Sequence, residues 1–81
     1  MSLEKLHAAR LVAGIHQVSR AVESGAAEMV FIASDVDGRV LGTLLTACRD
    51  AGITPDRTAT KAELGQHARL DVGAAAVATL R

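Results

Sequence analysis

The sequence predicts one small α/β domain built in layers. Apolar runs of strand length alternate with segments of helical period, and glycines stand at the boundaries between them. A chain of 81 residues leaves room for one modest core. With 49% hydrophobic residues it has enough apolar surface to fold. Much of that content is alanine, and Phe31 is the one aromatic residue. Small side chains fill space thinly, so the elements must approach one another closely.

The first candidate element is a short helix over residues 2–10, with Ser2 as its N-cap. Leu11, Val12 and Ala13 make a brief apolar run, read as an edge strand closed by Gly14. GIHQVSRAVESG (14–25) is a helix bracketed by glycines. Ile15, Val18 and Val22 form its apolar stripe, and Gly25 falls where a left-handed residue ends a helix. His16, Gln17 and Arg20 share the opposite face. The run MVFIA (29–33) fits a strand covered on both sides.

The segment SDVDG (34–38) has turn chemistry. Helical spacing returns over residues 39–51, with Val40, Leu41, Leu44, Leu45 and Cys48 on one side and Gly52 as the stop. Residues 53–59 hold the lone proline, Pro55, and read as a short or irregular strand. Thr60-Lys61-Ala62-Glu63 is a capping box, opening a helix that runs to about Ala68. The loop Arg69-Leu70-Asp71-Val72-Gly73 then leads into a last apolar strand, AAAVATL (74–80).

Composition narrows the function classes. Nine Lys plus Arg balance nine Asp plus Glu, so a bulk basic footprint is absent and any anionic partner must be met by local placement. A single cysteine, Cys48, excludes an internal disulfide and fits a reducing compartment. No apolar run approaches the ~20 residues of a membrane helix, and a cytoplasmic protein without membrane contact is expected. Asp35 and Asp37 supply too few oxygens for a calcium loop, and turn or capping roles suit them better. His7, His16 and His67 have no cysteine at zinc spacing. No nucleophile–base pair, paired acid or glycine-rich phosphate loop stands out, so neither catalysis nor a metal or other cofactor is expected.

Four stretches occur in an order and spacing that resemble the kink-turn-binding ribosomal proteins of the large-subunit seven-A-e and thirty-e type, and especially their short bacterial relatives. They are GIHQVSRAVESG (14–25), VFIASDVD (30–37), TKAELGQHARLDVG (60–73) and AAAVA (74–78). The resemblance implies a three-layer α/β/α sandwich around a small four-stranded mixed sheet, as one domain over residues 1–81. It also implies an RNA partner: a bent duplex in which tandem sheared G·A pairs follow a three-nucleotide bulge. In the family, recognition falls to the start of the glycine-opened helix and to the loop before the last strand. The family pattern Gly-x-Asn/Lys-Glu/Gln-x-x-Lys/Arg lies on Gly14, His16, Gln17 and Arg20, with His16 departing from the usual Asn or Lys. Lys61 matches a family lysine ahead of the ELG helix. Arg69, Leu70, Asp71 and Val72 match the loop whose apolar members pack on an extruded base.

Side-chain chemistry is consistent with that assignment. A helix N-terminus offers free amides and a positive dipole end, and Gly14 lets a nucleotide approach the backbone. Gln17 can donate and accept at a purine edge, and Arg20 can fork onto guanine or a phosphate. His16 can donate or stack. Lys61 can hold a phosphate. Taken alone, the same polar face is also that of an ordinary amphipathic helix, and Leu70 and Val72 could instead begin the last strand as core residues. The expected function is recognition and stabilisation of kinked RNA by a monomer, with no DNA role. The alternative is a protein-interaction module on the same fold with weak or no RNA binding.

Overall fold

The computed structural model describes residues 10–81. The helix expected over residues 2–10 lies outside the described residues, apart from Arg10. The described elements are strand β1 (Leu11–Ala13), helix α1 (Ile15–Glu23), strand β2 (Ala27–Ile32), a 3₁₀ turn (Gly38–Val40), helix α2 (Gly42–Ala51), helix α3 (Lys61–His67) and strand β3 (Ala76–Leu80).

The last strand is the middle one. β3 pairs antiparallel with β1 on one side and β2 on the other, giving the order β1-β3-β2. Its residues Ala76, Val77, Ala78 and Thr79 are fully buried, because both faces of a central strand are covered. Thr79 keeps its hydroxyl satisfied by accepting from the Met29 amide at 3.0 Å, where a bulge interrupts β2. Alternation sends Val30, Ile32, Ala76 and Ala78 to one face, where they pack with Val18 and Val22 of α1 and Leu44 and Cys48 of α2. Phe31 and Val77 point the other way and meet Leu64 of α3, Ala59 and Ala74. Helices therefore cover both sides of the sheet.

The sheet itself corrects the expectation of four strands in mixed arrangement. Among the described residues it has three strands, all antiparallel. The segment 53–59 pairs with the described strands at one parallel bridge, Phe31 to Asp56, and past the end of β2 the Ser34 amide donates to the Ala59 carbonyl at 2.8 Å. At the bridge Ile32 donates to the Asp56 carbonyl at 2.8 Å, and the Asp56 amide donates to Val30 at 2.9 Å. The ladder stops for a local reason. Pro55 has no N–H, and Asp56 Oδ1 accepts from both the Thr58 amide (2.9 Å) and its hydroxyl (2.7 Å), interrupting the extended run between Asp56 and Ala59.

Val40 also departs from the expected apolar stripe, being 56% exposed while Leu41, Leu44 and Cys48 are buried. The Asp37 side chain accepts from the Arg39 amide at 2.9 Å and starts a tighter turn, so Val40 precedes α2 instead of following its period. Helix stops fall where glycine punctuation placed them. Gly25 follows α1 and Gly52 caps α2, both at positive φ. The capping box on α3 is complete: Thr60 Oγ1 accepts from Glu63 N, and Glu63 Oε1 accepts from Thr60 N.

Candidate nucleic-acid interface

Strand pairing gathers most of the residues singled out in the sequence at one end of the sheet. Gly14 leaves β1 at the point where β3 begins, and its amide donates to the Ala76 carbonyl at 2.9 Å. The chain reaches that same end of β3 through the loop 69–73, so the start of α1 and the loop lie at one end of the sheet. β2 ends there too, with Ala33 N donating to the Ala75 carbonyl at 2.9 Å.

At the start of α1, Gly14 has φ +101°, a conformation that strains any residue with a Cβ. It offers no capping side chain, and the first turn carries no acidic residue. The dipole end of this nine-residue helix therefore carries no charged or capping side chain, and the Gln17 carboxamide oxygen lies against Gly14. His16, Gln17 and Arg20 are all exposed on the face away from Val18 and Val22.

The loop rests on α3 by backbone contact. A Cβ on Gly65 would collide with the Val72 carbonyl oxygen and sit 3.0 Å from Gly73 Cα, so only glycine lets the loop lie this close. Leu70 N donates to the Gly65 carbonyl at 2.8 Å, and Ala74 N to the Lys61 carbonyl at 3.0 Å. Arg69 turns the chain out of α3 in the left-handed region, at φ 61°. Its side chain, like those of Leu70, Asp71 and Val72, is exposed. Leu70 is 40% and Val72 72% exposed, which removes the reading of both as core residues.

Lys61 is exposed at the N-terminus of α3, and its amide donates to Asp35 Oδ1 at 2.9 Å. That bond ties the 34–37 turn to the helix. Asp37 meanwhile is held by Arg39, whose guanidinium approaches Oδ2 at 2.7 Å and keeps the carboxyl below the usual carboxylate range. Both aspartates thus serve turns and helix starts. Cys48 is buried against the sheet, and burial pushes its thiol up, away from reactivity. Among the described residues no three His, Cys, Asp or Glu side chains converge in a way that could hold a metal. No described helix is long and apolar enough to cross a membrane.

One residue at this end was not singled out. Val40 lines a groove with Gly14, His16, Gln17 and Ala75. Val40, Leu70 and Val72 are the large hydrophobic residues that stand exposed among those described; Val40 lies at the start of α1, and Leu70 and Val72 lie on the loop that leads to β3. Apolar periodicity had assigned Val40 to the core. The Asp-x-x spacing of Asp37 to Val40 was the available signal, since an Asp cap resets the period after it.

The family model of the ribosomal protein L7Ae/L30e/S12e/Gadd45 family matches residues 2–81. The chain belongs to that family. An "RNA-binding protein" of Geobacillus thermodenitrificans is 37% identical over 82 residues, covering the whole of both chains. "RNA-binding protein YbxF" of Geobacillus stearothermophilus matches at the same identity and coverage. The large ribosomal subunit protein eL8 of Haloquadratum walsbyi is 37% identical over 98% of this chain and 70% of its own length. Among solved structures, the Giardia lamblia 15.5kD RNA binding protein superposes with a TM-score of 0.82 at 24% identity, covering 98% of this chain and 68% of that one. A Bacillus halodurans protein of unknown function superposes at 0.86 with 23% identity, over 98% and 83% of the two chains. These two share the family's fold.

Proposed function

We propose that this chain is an RNA-binding protein that recognises kink-turn or similarly bent RNA and stabilises its kinked form. One observation carries the reading. The exposed aliphatic side chain of Val40 lines the groove at an uncapped helix N-terminus, and the exposed Leu70 and Val72 stand on the loop that reaches the same end of the sheet, in a family whose similar members are named for RNA binding. Apolar surface exposed next to a positive dipole end suits a partner with both flat apolar faces and negative charge, and an unstacked nucleotide has both. In this reading the backbone at Gly14 lies against the RNA. Gln17 and His16 meet base edges, and Arg20 forks onto a guanine or a phosphate. Leu70 and Val72 cover a base extruded from the bulge. Lys61 and Arg69 neutralise phosphates, and Asp71 accepts from a base amine or a ribose hydroxyl.

The chain acts without catalysis, as one domain over residues 1–81 working as a monomer in the cytoplasm. The kinked RNA is favoured because the protein binds it more tightly than the extended form. Titration into a labelled kink-turn and into the same RNA with its G·A pairs replaced tests this directly. Tight binding to the first and at least tenfold weaker binding to the second is expected. Arg20→Ala should weaken the kink-turn complex by ~1–3 kcal/mol while leaving the melting temperature in place. Equal affinity for both RNAs would reject selection of the kink. No affinity for either would leave the protein-interaction reading, which the zero net charge favours.

A further inference from the structure

The groove beside the start of α1 holds a polar group that the fold leaves unused. Ser19 is 6% exposed, and its Oγ is sealed from solvent without a hydrogen-bond partner among the described residues. A buried hydroxyl in that state costs folding free energy. Serines in helices commonly turn back onto a carbonyl of the preceding turn. Ser24, at the end of the same helix, does so by donating to the Ala21 carbonyl at 3.2 Å. Ser19 does not, and Ser19 lines the groove.

The groove's chemistry narrows what could satisfy it. Ile15, Val40 and Ala75 supply aliphatic wall, Gln17 and Thr43 supply neutral hydrogen-bonding groups beside Ser19, and His16 adds an imidazole ring that can donate or stack. No lysine or arginine lines it, so a phosphate gains little there. Its volume of about 510 Å³ lies within the range of small-ligand sites. A flat, neutral, apolar group with a polar edge fits, and an unpaired nucleobase is that kind of group. We propose that the groove takes an unpaired nucleobase of the bound RNA, and that Ser19 Oγ hydrogen-bonds to its edge. This second base site is separate from the one covered by Leu70 and Val72, and it rests on the RNA-binding reading above. A serine hydroxyl turns about a single bond, so an occupant can draw it into the groove without moving the helix.

The test compares the whole chain with Ser19→Ala, an exchange that favours the helix. Each protein is titrated with a labelled kink-turn and with versions made abasic at each unpaired nucleotide in turn. Free-protein melting is recorded alongside. Ser19→Ala should weaken kink-turn binding about 3–10-fold, the net worth of one hydrogen bond, and should melt no lower than the parent. At one abasic position the parent should lose affinity while Ser19→Ala loses little more, because the base and the hydroxyl are partners. Full affinity of Ser19→Ala for an RNA that the parent binds would overturn the base site while sparing the RNA-binding reading. So would losses that add at every abasic position. A clear drop in melting temperature would assign the hydroxyl to the fold and overturn the proposal as well. A parent that binds no kink-turn would overturn both readings.

Discussion

Leu70 is the residue whose two readings part most cleanly. At 40% exposure it retains too much solvent contact for a core leucine, yet a leucine held on a loop in water gains nothing for folding by being there. A bound base would supply the missing cover. Leu70→Ala should therefore cost binding, by about 1 kcal/mol or more at ~25 cal/mol for each Å² of apolar surface no longer covered. It should leave folding nearly intact, where a buried leucine would lose ~2–5 kcal/mol. Melting temperature and RNA affinity measured on this variant decide the point, and a large melting loss with unchanged affinity would remove the loop from the interface. The pairing of Gln17 with Arg20 on an exposed face was legible from spacing alone, because a helix period places residues three apart side by side. The exposure of Val40 was not, since its period is broken by the cap at Asp37.

Among the elements, α3 and the loop it supports show how a glycine can be read wrongly as a mere helix weakness. Gly65 lies within a seven-residue helix, where alanine would be the better helix former by ~1 kcal/mol. Its lack of a Cβ instead admits the backbone of Val72 and Gly73. Gly65→Ala should lower the melting temperature despite the helix gain, and should weaken RNA binding by displacing residues 70–73. A variant that melts higher and binds normally would show that the loop does not need this contact. The capping box of α3 was readable because both of its bonds are local. The fate of residues 53–59 was not, because a long-range ladder competed there with the turn at Asp56 and lost.

The same turn gives α3's approach an acid sensitivity. The Thr58 hydroxyl, then its amide, lowers the Asp56 carboxyl from its ordinary value of 3.8. A depressed carboxylate contributes stability that is present above the unfolded-state value and is lost as pH falls through the folded-state value. Asp56→Asn keeps an acceptor but no titration. The parent's stability advantage over this variant should hold above pH 3.8 and shrink below it, as melting curves from about pH 6 to 2 would record. A constant difference across that range would contradict the assignment.

On the scale of the molecule, the balance of charge shapes how it can hold an anion. Equal numbers of acidic and basic residues leave no net charge to draw RNA from a distance, so recognition rests on shape and on where the charges stand. Only Arg20, Lys61 and Arg69 lie in the proposed interface as cations. If they alone neutralise phosphates, log K should fall by ~2–3 per decade of salt, and a slope of ~6 or more would reveal a basic surface elsewhere. The layered fold itself was foreseeable from alternating strand and helix periods. That β3 is central, and so puts Gly14 and the 69–73 loop at the same end of the sheet, depended on pairing between residues more than sixty positions apart.

Stabilisation of the kink is the central claim, and the shape of the RNA reports it most directly. A duplex carrying a kink-turn, with a fluorescent donor and acceptor on its two ends, is extended when divalent ions are withheld. Adding the protein under those conditions should bring the ends together and raise energy transfer in a saturable way, with Arg20→Ala shifting the midpoint to higher protein concentration. Binding that leaves energy transfer unchanged, or an equal response from an RNA lacking its G·A pairs, would contradict the account.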